Sequence, residues 1–90
     1  MRWKLFADLR EAAGDDEVTV DVEPGATVDD ALTALFEAHP PLRERVLDDD
    51  GAVRDHINVL RNGEAVDTDE FATELDDGDE LALFPPVSGG

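Results

Sequence analysis

The sequence ends Pro85-Pro86-Val87-Ser88-Gly89-Gly90, and a carboxylate on Gly90 is the group in this chain whose setting best suits chemistry. Glycine averages about 7% of residues, so a pair at one chosen position arises by chance in only ~0.5% of proteins. Lacking Cβ atoms, Gly89 and Gly90 can thread a narrow channel and adopt φ values closed to other residues. Pro85 and Pro86 favour an extended, partly stiffened approach to them. A carboxylate is a poor electrophile, whereas an acyl adenylate made with ATP has a good leaving group. Gly89 and Gly90 could thus present a terminal carboxylate to ATP in an enzyme's channel without steric conflict.

No other grouping competes. Asp48-Asp49-Asp50-Gly51 has the composition of a calcium loop, but placing Gly51 at the sixth position puts Val46 first and Ile57 last, and neither is a ligand. His39 and His56 stand seventeen positions apart in a chain without cysteine, so no zinc set is expected. The missing thiols also exclude disulfides and a cysteine nucleophile, so any sulfur chemistry must take place off the side chains. Ser88 sits in the expected tail, where a nucleophile could not be positioned. No resident cofactor, metal or active site is expected.

The elements that would carry this tail are legible in the periodicity. Met1, Trp3, Leu5 and Ala7 alternate with Arg2, Lys4 and Phe6, the pattern of a strand with one buried face. A short helical turn around Leu9, Ala12 and Ala13 and a turn at Gly14-Asp15-Asp16 lead to a second strand through Val18, Val20 and Val22. Val28, Ala31, Leu32, Leu35 and Phe36 then follow helical spacing behind Thr27 and Asp30, a capping-box start. Pro40-Pro41 stops that helix near His39, and Leu42, Val46 and Leu47 allow one shorter turn. Ile57 and Val59 alternate with Asn58 and Leu60, Asn62-Gly63 is a hairpin signal leading to Glu64-Ala65-Val66, and Leu81 and Leu83 alternate up to Phe84. The order strand, strand, helix, strand, strand predicts an α+β β-grasp domain. Its mixed sheet crosses one long helix, and its first and last strands are central parallel neighbours. The domain is expected over residues 1–84, with 85–90 as a flexible tail.

Composition narrows the partners. Twenty-four Asp and Glu against seven Lys and Arg give a formal charge of −17. Nucleic acid and acidic membrane surfaces are thereby disfavoured. Self-repulsion on this scale is screened in molar salt, where the Debye length is ~3 Å, so a salt-rich cytoplasm is the expected setting. Lys4, the only lysine beside six arginines, agrees with that reading. No apolar run reaches the length of a membrane span or reads as a signal peptide, and a cytoplasmic location is expected.

Leu5-Phe6-Ala7-Asp8-Leu9-Arg10-Glu11-Ala12-Ala13-Gly14, Asp77-Gly78-Asp79-Glu80 and Phe84-Pro85-Pro86-Val87-Ser88-Gly89-Gly90 resemble the small sulfur-carrier subunit of molybdopterin synthase, and equally the small archaeal ubiquitin-like modifier proteins. The resemblance spans nearly the whole chain, and its most specific part is the final segment. It implies an E1-like adenylyltransferase that activates Gly90 with ATP. Either a persulfide then leaves a thiocarboxylate, for a molybdopterin synthase large subunit or a tRNA-thiolating enzyme, or a lysine of a target protein forms an isopeptide bond. A ubiquitin-fold interaction domain with an inert tail is the alternative. Two further expectations follow from period two. Phe6, Leu60 and Phe84 face away from the helix as an exposed apolar docking patch, with Pro85, Pro86, Val87 and Ser88 as contacts in the partner's channel. Lys4, facing outward, is a candidate acceptor for another carrier's C-terminus.

Overall fold

A computed structural model describes residues 1–54 and 57–84. Strands β1 (Arg2–Leu5), β2 (Glu17–Thr19), β3 (Asn58–Arg61), β4 (Glu64–Ala65) and β5 (Glu80–Phe84) form one sheet in the order β2-β1-β5-β3-β4. β1 and β5 lie parallel at its centre, and every other pairing is antiparallel. The expected β-grasp order is thus present, with β4 as a separate two-residue edge strand.

The helices explain how the sheet acquires a covered face. α2 (Val28–Ala38) begins with the capping box: Thr27 Oγ1 accepts from the Asp30 amide, and Asp30 Oδ2 accepts from the Thr27 amide. It buries Val28, Ala31, Leu32 and Leu35, the stripe read from the sequence. Pro40 and Pro41 end α2 but also open α3 (Pro40–Val46), because proline's missing N–H costs nothing in a first turn. The single turn expected there is a full seven-residue helix burying Leu42 and Val46.

Ala7 departs from the expectation more sharply. It is exposed and starts α1 (Ala7–Ala13) with φ 52°, so strand one ends before the position assigned to its buried face. Val22 and Val66 likewise fall outside β2 and β4 and are only half-buried. Phe71 and Leu75, which no periodicity singled out, belong to the core. The segment carrying them is held through main-chain bonds from Asp29 N–H to the Phe71 carbonyl and from Leu75 N–H to the Ala26 carbonyl.

At the centre lies Trp3, fully buried, its indole N–H donating to the Ala31 carbonyl of α2 at 3.1 Å. Leu5, Leu81 and Leu83 line the same inner face from the two central strands. The lower end of the sheet is fastened by Asp79. One of its carboxylate oxygens accepts from Arg61 Nε and the Asp76 amide, each at 2.8 Å, and the other from Asn62 Nδ2 at 2.9 Å. Asn62 also bonds the β5 backbone, accepting from the Glu80 amide and donating its own amide to the Glu80 carbonyl. Its φ of 52° beside 84° at Gly63 gives the mirror-image hairpin turn that the Asn-Gly pair signalled.

Hydrogen bonds from Asn62 first, then the Asp76 amide and Arg61, hold the Asp79 carboxyl below its ordinary pKa of 3.8. A native pKa below the unfolded one contributes stability that is complete above pH 3.8 and drains as pH falls through the native value. Asp79→Asn should cost on the order of 1–3 kcal/mol at neutral pH. The loss relative to wild type should shrink below pH 3.8, as read by urea unfolding across a pH series. A constant difference at every pH would show that the charge is not what matters.

Candidate functional site

The sheet has a second face, and its residues follow from register. Along β5, Glu80, Ala82 and Phe84 alternate with the buried Leu81 and Leu83 and face away from the helices. Lys4 and Leu60 flank Ala82 on the neighbouring strands, and Asn58 lies opposite Phe84. Phe6, just past β1, stacks on Phe84 with ring centroids 4.0 Å apart and planes 8° from parallel. Leu60 sits diagonal to Phe84 across Ala82, a separation of ~7–8 Å that long side chains can bridge.

Phe6, Leu60 and Phe84 therefore share the face assigned to them, but each is half-buried where free exposure was expected. The two phenylalanines cover each other, which removes part of both rings from water. The turn that allows this is local: Phe6 has extended backbone (φ −129°, ψ 154°), and the positive φ of Ala7 swings the chain directly into α1. Leu9 N–H closes the turn on the Phe6 carbonyl. Non-glycine residues in this region cost of order 1 kcal/mol or more, so the fold accepts strain where the aromatic pair is set.

Beside the apolar pair stands a charged one. Lys4 Nζ lies 2.8 Å from Glu80 Oε1, both side chains being about two-fifths exposed. The hydrogen bond to Glu80, with its charge, raises the Lys4 pKa above its ordinary 10.5, and Lys4 correspondingly lowers that of Glu80. The expected acceptor lysine is thus outward-facing but engaged.

Gly89 and Gly90, with Pro85, Pro86, Val87 and Ser88, lie outside the described residues, as does His56. Residue 85 is joined to Phe84, so the aromatic pair marks the end of the sheet from which the chain runs on toward Gly90. The other candidate loops have structural roles. Asp48 Oδ1 accepts from the amides of Asp50 and Ala52, a self-contained turn, and His39 is the junction between α2 and α3. Among the described residues no acidic or histidine cluster is placed to hold a metal, and no helix is long and apolar enough to cross a membrane. Ala82 and Asn58, which complete the outer face, were not singled out in the sequence, because a small residue and a polar one carry no signal until register places them.

A β-grasp sheet with an aromatic pair at the end of its last strand, leading into a diglycine sequence, defines a ubiquitin-like carrier scaffold. The chain belongs to the ThiS family, whose model matches residues 3–90. It is 63% identical to small archaeal modifier protein 1 of Haloferax volcanii over the full length of both chains. It is 36% identical over 85 residues to the molybdopterin synthase sulfur carrier subunit of Chlamydomonas reinhardtii, covering 94% of this chain and 92% of that one. A crystal structure of SAMP1 from Haloferax volcanii superposes with a TM-score of 0.92 at 62% identity, covering 100% of this chain and 98% of that chain.

Two outcomes follow from the outer face. Phe84→Ala should cost only about 1–2 kcal/mol of folding stability, since the ring is half-buried, against 3–5 kcal/mol for a fully buried phenylalanine. If the face is a docking surface, the same substitution should sharply weaken binding of the activating enzyme in calorimetry. Severe unfolding with unchanged affinity would refute that role. For Lys4, Glu80→Gln should bring the pKa back toward its ordinary value and raise the rate of amine acylation at a fixed pH below 10. Peptide mapping for Lys4 joined to the carrier's last tryptic fragment, Asn62–Gly90, reads the effect, because Arg61 is the last basic residue, and an unchanged rate would mean that the ion pair does not limit reactivity.

Proposed function

We propose that this chain is a ubiquitin-like sulfur carrier and protein modifier that acts through its Gly90 carboxylate. The observation that carries the reading is its full-length likeness both to a protein named as a modifier and, at lower identity, to proteins named as sulfur carriers. One activated carbonyl serves both ends. An E1-like adenylyltransferase directs the carboxylate oxygen onto the α-phosphorus of ATP, and pyrophosphate leaves. A nucleophile then attacks the carbonyl, and AMP departs with the C–O electron pair.

The products differ only in that nucleophile. A lysine amine of a target, after losing a proton, forms an isopeptide bond. The terminal sulfur of a persulfide forms an acyl disulfide, and a second thiol cleaves it to leave the Gly90 thiocarboxylate and a new disulfide. The thiocarboxylate would be spent on a molybdopterin synthase large subunit or a tRNA-thiolating enzyme. The chain's own part is binding and presentation. Phe6, Leu60 and Phe84 dock the partner, while Pro85 to Ser88 deliver Gly89 and Gly90 into its channel. ATP belongs to the partner, and a salt-rich cytoplasm is the setting we infer from the −17 charge.

Deleting Gly90 should abolish adenylation, measured by ATP–pyrophosphate exchange with the activating enzyme, while thermal unfolding stays within error of the full chain. A normal exchange rate in the truncated protein would overturn the proposal. Intact mass of protein from its native host should show oxygen replaced by sulfur at the C-terminus, or Gly90 linked to lysine.

A further inference from the structure

The sheet's opposite margin is built differently from the outer face. Among the described residues β2 pairs only with β1, so its far side is a free edge. Main-chain bonds fix which groups look outward. Met1 and Val20 exchange both bonds, and Leu5 N–H donates to the Asp16 carbonyl. In an antiparallel pair such residues alternate with ones whose amide and carbonyl point away. Glu17 and Thr19, and Asp21 by the same alternation, therefore present N–H and C=O groups to the free edge.

Alongside this edge runs an open groove of about 420 Å³ between the segment after β2 and α2, floored by Val22, Ala26 and Ala34 and rimmed by Asp21, Glu23 and Glu37. None of these three carboxylates forms an ion pair among the described residues. Exposed edges are commonly guarded by charge against pairing with further copies. A guard made only of carboxylates on a chain of net charge −17 repels another copy of itself but attracts a cationic strand.

We propose that the β2 edge and the adjoining groove take an extended cationic segment of another protein, added as a further strand. Its main chain would bond to Glu17, Thr19 and Asp21, alternate apolar side chains would rest on Val22 and Ala34, and its lysines or arginines would meet Asp21, Glu23 and Glu37. Strand addition gives affinity through main-chain bonds and selectivity through alternate side chains. Glu17 lines one hollow with Lys4 and Phe6, so the edge adjoins the outer face at that end, whereas the groove rimmed by Asp21, Glu23 and Glu37 shares no lining residue with it; the inference does not rest on the Gly90 reading.

The test uses the full chain, isotopically labelled, titrated with a peptide alternating valine and lysine and, in parallel, one alternating valine and glutamate. The lysine peptide should shift the amide resonances of Glu17, Thr19, Asp21 and Ala34 and slow amide exchange at Glu17 and Thr19, while the glutamate peptide leaves them unchanged. Thr19→Pro removes an outward N–H without touching the β1 ladder and should abolish the slowed exchange. Should that variant unfold, the double reversal Asp21→Lys, Glu37→Lys keeps the backbone intact and should weaken the lysine peptide by on the order of tenfold. ATP–pyrophosphate exchange with the activating enzyme should be unchanged in the double reversal. Shifts confined to the Phe6–Phe84 face, equal binding of both peptides, or no shift at all would overturn the proposal. So would dimerisation of the chain alone that Thr19→Pro abolishes, which would assign the edge to a second copy.

Discussion

Everything in this domain hangs on the buried indole of Trp3. Its ring fills the space between the central strand β1 and α2, and its N–H has one partner, the Ala31 carbonyl. A buried donor left unpaired costs ~1–3 kcal/mol, so the helix cannot slide along the sheet without losing that bond. Once α2 is fixed over β1, the parallel pairing of β1 with β5 sets which β5 residues point inward. Leu81 and Leu83 join the core, and Ala82 and Phe84 must face out. The outer face thus exists because the inner one is tightly specified.

Charge plays an unexpected part in this economy. Many carboxylates of this acidic chain have been given main-chain work. Asp15, Asp30, Asp48 and Asp79 each accept from a backbone amide close by, closing a turn or starting a helix. Several of the cations serve tertiary links: Arg2 to Glu17, Arg45 of α3 to Asp8 of α1, and Arg61 to Asp76 and Asp79. Surface pairs of this kind contribute little each. Local amides offset part of the carboxylate charge, and salt would screen the remainder.

Local chemistry was the readable part of the sequence. The capping box at Thr27 and Asp30, the Asn62-Gly63 turn and the helical stripe of α2 all depend on neighbours within a few residues, and each appears where the pattern placed it. Period two likewise put Phe6, Leu60 and Phe84 on one face. Their half-burial could not be read, because it depends on Phe6 meeting Phe84 across nearly the whole length of the chain. Ala7 was misplaced because nothing in an alanine announces a positive φ; the turn is imposed by what flanks it. Phe71 and Leu75 escaped notice in a stretch with no period, where long-range main-chain bonds decide burial. For Gly89 and Gly90 the sequence is the sole guide.

The parallel pairing of β1 with β5 has a consequence for the time course of folding. Residues 2–5 must wait for residues 80–83, so the central contact closes almost the largest loop the chain contains. Contacts between distant residues are slow to form, because the entropy of closing the loop is lost before the contact offsets it. Until β5 arrives, the sheet consists only of the β1–β2 pair at one end and the β3–β4 hairpin at the other, and two-stranded units are marginal in water. During synthesis the sheet therefore knits together last at its middle, with the strand that leads directly into Pro85. A chain stalled before β5 lacks the joint between its halves and stays open to proteolysis. Structural completion and the emergence of Gly89 and Gly90 are thus coupled by topology.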